Sequence, residues 1–162
     1  MDLPLTKQAC VFGISGIQFN CTYVHVKEQT LEIVVDASIL IAVITNEEDK
    51  EQLVEITREA ELIAPKSVHW EIGNAFSAML KRKRITIKQA VRAVEIYQQI
   101  PIRYVEVELA DSLSMADELG LYAYDAYLLR CAAKYRSPLL SLDKNLIQAA
   151  KKRRIPVLEV TA

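Results

Sequence analysis

The sequence predicts an α/β domain in which helices cover a parallel sheet. Three observations carry this expectation. From Leu31 onward, short apolar runs alternate with segments of helical period. Pro101, Pro138 and Pro156 stand at or just before the starts of such runs, where a missing N–H is tolerated. The chain has 162 residues, 51% hydrophobic and 25% charged, which suits one packed domain that needs neither disulfides nor a structural metal.

In chain order, Leu31 to Asp36 is the first expected strand, and its Glu-Ile-Val-Val run reads as buried. Helices follow over Ser38 to Thr45 and Asp49 to Ala60. Glu61 to Ala64 is the second strand. The helix Val68 to Arg84 carries a core stripe of Val68, Ile72, Ala75, Phe76, Met79 and Leu80. Thr86 with Gln89 reads as a capping box that opens the helix Ile87 to Ile100. After a strand over Ile102 to Glu108 come helices over Asp111 to Leu119 and Tyr124 to Arg136, the second with an apolar face of Leu128, Leu129, Ala132 and Tyr135. The strand Pro138 to Leu142, the helix Asn145 to Arg153 and the strand Pro156 to Val160 complete the set. Residues 1–30 hold two of the four glycines and two of the three cysteines and lack a clear period. They read as an extension from a start upstream of the natural one, with Leu31 as a candidate initiator, ahead of a domain over 31–162.

Composition excludes several classes. Twenty Lys and Arg against 21 Asp and Glu give a net charge of −1, so no blanket cationic surface for nucleic acid exists. Local basic runs remain at Lys81, Arg82, Lys83, Arg84 and at Lys151, Lys152, Arg153, Arg154. Both close expected helices, where they either complement the dipole or meet phosphate. No apolar run approaches the length that spans a bilayer, so no membrane segment is expected. Ala9 to Phe19 is interrupted by Gly13, Ser15 and Gly16, and no signal-cleavage pattern follows. Three cysteines without CxxC spacing suit a reducing cytosol. With only His25 and His69 as histidines, a zinc site is not expected.

Four carboxylates stand in unusual places. Asp36 ends the first strand as the chain enters an apolar helix, and that end of a parallel sheet forms the ligand crevice. Asp143 repeats the arrangement after Leu140-Ser-Leu. Each has a hydroxyl two positions away, Ser38 and Ser141, and each also fits a helix cap. Glu71 falls on the shoulder of its helix stripe, with Asn74 as an i+3 neighbour able to orient it. Asp125 lies near the centre of the apolar face of its helix, where a buried carboxylate needs a cationic partner unless it only caps the first turn. Were the four to converge, repulsion would keep some protonated unless a divalent cation neutralised them. All-oxygen ligation suits Mg²⁺ or Mn²⁺, and the chemistry that follows is metal-assisted phosphodiester hydrolysis.

Val34-Val-Asp36-Ala-Ser38, Ala64-Pro65 with Glu71-Ile-Gly-Asn74, Gly120-Leu-Tyr-Ala-Tyr-Asp125-Ala, and Leu140-Ser-Leu-Asp143 together resemble the PIN domain. In particular they are similar to the ribonuclease toxins of VapBC modules. The likeness covers about Leu31 to Val160, with the acids 35, 54 and 18 residues apart. It implies a three-layer α/β/α sandwich around a parallel sheet. It also implies a Mg²⁺- or Mn²⁺-dependent endoribonuclease acting on RNA in the cytoplasm, a homodimer, and a VapB-like antitoxin as partner. By resemblance Asp36, Glu71, Asp125 and Asp143 are the catalytic acids, the first, third and fourth also holding metal. Ser38, Asn74 and Ser141 support them, and Lys81, Arg82, Lys83 and Arg84 are the RNA-binding run. Ser141 stands where many relatives carry Thr, which keeps the hydroxyl. Asp117 and Glu118 are neighbouring acids, and Asp117 matches none of the family's.

Rival readings meet specific obstacles. A haloacid-dehalogenase-like phosphatase needs an acid at position 38, which is Ser. A receiver domain needs an acidic pair before the first strand ends. No G-x-x-x-x-G-K-[ST] loop is present. A non-catalytic PIN-like module that binds RNA or protein remains the rival of a different class, and its distinguishing property is indifference to Mg²⁺.

Overall fold

The computed structural model describes residues 30–160. The extension expected over 1–30 and its start site therefore lie, apart from Thr30, outside the described residues, as do Cys10, Cys21 and His25. The described chain folds as β1 (Glu32–Val35), α1 (Ala37–Thr45), α2 (Lys50–Thr57), β2 (Glu61–Pro65), α3 (Ser67–Lys81), α4 (Ile87–Tyr97), β3 (Ile102–Val105), α5 (Leu109–Leu119), α6 (Ala123–Tyr135), β4 (Leu139–Leu140), α7 (Lys144–Lys152) and β5 (Val157–Leu158). Each expected element is present, in order.

The five strands form one parallel sheet in the order β3-β2-β1-β4-β5. Helices flank it as an α/β/α sandwich. The central strands are apolar on both faces, as a sheet covered on both sides requires. Ile33, Val34, Val35, Ile63, Ala64, Leu139 and Leu140 are fully buried. Leu53 from α2, Ile72 from α3 and Leu128 and Leu129 from α6 close the core over them, each side chain contributing about 1.5 to 3 kcal/mol by leaving water.

Element ends differ from expectation where local chemistry intervenes. Helix α3 stops at Lys81, not Arg84, because Lys83 adopts φ 57° and the chain closes with Arg84 N–H donating to Met79 O at 2.9 Å. Strand β3 ends at Val105, level with Pro65, where its only neighbour also ends. The capping box on α4 forms in full: Thr86 Oγ1 accepts from Gln89 N–H, and Gln89 Oε1 accepts from Thr86 N–H.

At the amino edge of the sheet, Arg103 of β3 bonds both Glu61 of β2 and Glu32 of β1. One guanidinium thus ties three neighbouring strands together and offsets one of the two carboxylate charges gathered there.

Candidate active site

The opposite, carboxyl edge is where the expected site residues meet. Register fixes the first contact. Val35 pairs with Leu140, so the next residues of the two parallel strands, Asp36 and Ser141, leave the sheet at one level. Ser141 Oγ donates to Asp36 Oδ2 at 2.7 Å, and Ser38 Oγ donates to the same oxygen at 2.5 Å. The hydroxyls are themselves held: Ser38 Oγ accepts from Leu142 N–H at 3.1 Å, and Ser141 Oγ accepts from Asp143 N–H at 3.0 Å. Asp36 is only 7% exposed. It occupies the N-cap position of α1 but makes no side-chain capping bond, so its carboxylate serves the crevice and not the helix.

Asp143 does cap its helix. Its Oδ1 accepts from Asn145 N–H at 2.7 Å and Leu146 N–H at 3.2 Å, which is the ordinary role of Asp before a helix. Asp143 is exposed, and its Oδ2 forms no hydrogen bond among the described residues. Capping therefore occupies one oxygen and leaves the other available.

Glu71 rises from the carboxyl end of β2, in the second turn of α3. Burial pushes its carboxyl up from about 4.5 to about 7; the nearby Asp36 and Asp125 charges act in the same direction, while Ser67 opposes them. The Ser67 hydroxyl is near enough to act on the carboxyl, yet neither Ser67 Oγ nor Glu71 Oε1, both buried, reaches full hydrogen-bond geometry. Asp125, in the first turn of α6, is half-buried. Burial first, then Asp143 and Asp36, raise its carboxyl above the usual range. The cationic partner expected for Asp125 is absent: none of the ion pairs among the described residues includes Asp36, Glu71, Asp125 or Asp143.

The contrast between the two edges decides the chemistry. Acids at the amino edge share an arginine, whereas those at the carboxyl edge form no ion pair among the described residues. A group of oxygen donors in mutual repulsion, one of them buried and unpartnered, fits a hard divalent cation. Among the described residues no three His, Cys, Asp or Glu side chains are gathered closely enough to hold an ion alone, so the fit is carried by the chemistry of the donors and not by a formed cage.

The remaining expected residues divide. Asn74 is exposed and makes no hydrogen bond to Glu71; the polar group beside Glu71 is Ser67, missed in the sequence although its i−4 spacing places it on the same face. Lys81, Arg82, Lys83 and Arg84 are exposed and make no ion pair among the described residues. They stand at the far end of α3 from Glu71, about 15 Å along the helix axis. In the second basic run, Lys151 pairs with Glu159 and Arg153 with Glu118, so half of it is already committed.

Comparison with known proteins agrees with this architecture. A family model described as PIN domain matches residues 33–152. Comparison with curated protein sequences returns no match. Among solved structures, a protein from Pyrobaculum aerophilum is similar with a TM-score of 0.60 and 23% identity, over 75% of this chain and 87% of that one. The sarcin-ricin-loop-cleaving toxin VapC20 of Mycobacterium tuberculosis aligns with a TM-score of 0.53 and 16% identity, over 72% and 94%. VapBC2 of Rickettsia felis, solved with a DNA fragment from its promoter, aligns with a TM-score of 0.54 and 15% identity, over 80% and 98%.

Proposed function

This chain belongs to the PIN domain family, a family of nucleases, and from that premise we propose that it is a Mg²⁺- or Mn²⁺-dependent endoribonuclease, the toxin of a VapBC-type pair. The observation that carries the reading is the carboxyl edge of the sheet, where the charges of Asp36, Glu71, Asp125 and Asp143 act on one another and none forms an ion pair among the described residues.

A divalent ion bound there supplies Lewis-acid polarisation of the phosphodiester and lowers the pKa of water. Asp36, Asp125 and Asp143 are the residues that would hold it. Ser38 and Ser141 donate to Oδ2 of Asp36, which fixes the carboxylate and leaves Oδ1 for ligand. In the metal-free protein the Glu71 carboxyl is raised to about 7 by burial and the neighbouring Asp36 and Asp125 charges, where it can both take and return a proton. It accepts the proton of the attacking water as that oxygen bonds to phosphorus. The bond from phosphorus to the leaving oxygen breaks, and the proton passes to that oxygen.

RNA as substrate, a VapB-like antitoxin, a homodimeric state and a cytoplasmic site of action rest on likeness to the family. The described residues include no helix long and apolar enough to cross a membrane. The rival reading is a non-catalytic PIN-like module that binds RNA or protein. Labelled RNA separates the two. The full chain should cut it in Mg²⁺ and leave it whole in EDTA, and the triple variant Asp36→Asn, Asp125→Asn, Asp143→Asn should lose the activity. Cleavage by that variant at the wild-type rate would end the nuclease reading. Co-purification with the product of a short neighbouring reading frame tests the toxin role.

A further inference from the structure

Helix α7 presents to solvent a row of side chains that carries positive charge and no acid. Lys144, Gln148 and Lys152 stand four residues apart, so they follow one ridge of the helix. All three are exposed, while Leu146, Ala149 and Ala150 on the other face are buried. The ridge is about 12 Å long. Neither lysine forms an ion pair among the described residues. Lys151 flanks the ridge but is engaged by Glu159, and α7 itself contains no Asp or Glu.

One end of the ridge is at the crevice. Asp143, the residue before Lys144, caps α7, and its charge acts on Asp125. Its N–H donates to Ser141, the same serine that donates to Asp36. Lys144, the first residue of α7, runs against helix stability, because a cation in the first turn opposes the dipole where an acid would be favoured. Lys152, in the last turn, suits the dipole, so the fold accounts for one lysine and not the other. Phosphate accounts for both. A strand whose scissile phosphate lies among carboxylates needs cations on the phosphates that flank it, and the run Lys81 to Arg84 is at the distant end of α3. The ridge matches roughly three stacked nucleotides, at about 3.4 Å each, and Gln148 adds a neutral donor for a phosphate oxygen.

We propose that Lys144, Gln148 and Lys152 form a backbone track that carries the RNA strand away from the crevice along α7, holding the phosphates on one side of the scissile bond. The inference rests on, and deepens, the nuclease reading above. It is tested by binding without cleavage. In EDTA, the full chain is titrated into a fluorescein-labelled ten-nucleotide RNA at several salt concentrations. Lys144→Gln with Lys152→Gln should bind more weakly at low salt, and the slope of log affinity against log salt should be shallower by about 1.4, at about 0.7 per phosphate contact on a single strand. Gln suits a helix nearly as well as Lys, so this variant should melt as wild type does. Arg58→Gln with Lys88→Gln removes the same charge from exposed positions of other elements and should keep the wild-type slope. In Mg²⁺ the α7 pair should raise KM and largely spare kcat. A wild-type slope in the α7 pair, an equal change in the Arg58 and Lys88 pair, or no RNA binding by wild type would each overturn the track. The expected change of slope without any cleavage in Mg²⁺ would uphold α7 as the RNA surface and end the nuclease reading, so the two fail separately.

Discussion

Ser141, at the end of β4, donates a 2.7 Å hydrogen bond to Oδ2 of Asp36, at the end of β1, joining positions 105 residues apart. Both side chains are buried. Removing the donor leaves a buried carboxylate with Ser38 as its remaining hydroxyl partner. Ser141→Ala should therefore cost about 1 to 3 kcal/mol of stability, and Ser141→Thr, which keeps the hydroxyl, should recover much of it. Urea unfolding at neutral pH measures both. Equal midpoints for wild type and Ser141→Ala would remove the bond from the account of stability.

Asp143 combines a cap with a place at the crevice, and two substitutions separate them. Asn is as good a helix cap as Asp, so Asp143→Asn should melt near wild type yet lose most Mg²⁺-dependent cleavage. Asp143→Ala should lose the cleavage and in addition about 1 kcal/mol of stability. Full cleavage by Asp143→Asn would confine this residue to capping.

The elevated carboxyl of Glu71 makes stability depend on pH in a defined direction. The unfolded chain ionises this group near 4.5 and the folded one near 7, so between these values the folded state binds more protons. Stability from this group is full below about 4.5 and is lost as pH rises through about 7. Asp125 shifts in the same direction. Metal-free wild type should lose more thermal midpoint between pH 5 and pH 8 than Glu71→Gln does. Parallel profiles for the two proteins would contradict the assignment. Glu71→Gln should also slow cleavage less than Asp36→Asn does if the Glu71 carboxylate acts on water and the Asp36 carboxylate on the ion.

The unpaired run Lys81, Arg82, Lys83, Arg84 should contribute to RNA binding through phosphate contacts. Replacing the four with Gln should weaken binding and flatten its dependence on salt, with binding of Mg²⁺ alone unaltered. Titrations at several salt concentrations give the slope, and an unchanged slope would leave the run as a solvated helix end.

Much of this protein is legible along the chain because the signals are local. Continuous apolar runs mark Ile33 to Val35 and Leu139 to Leu140 as strands covered on both faces, helical period marks the buried stripe of α3, and Thr86 with Gln89 announces a cap that forms as read. The four acids and two serines also stand out singly, by residue type and position at the ends of elements. Tertiary structure alone decided how they act together. Parallel register between β1 and β4 sets Asp36 level with Ser141, and burial together with neighbouring charge raises Glu71 and Asp125. The pairing of Glu32 and Glu61 with Arg103 offsets charge at one edge of the sheet, while the acids at the other form no ion pair among the described residues. None of these is a local property: hydrogen bonding and Coulomb interaction depend on distance in space, and chain folding brings to contact range residues that spacing along the sequence cannot relate.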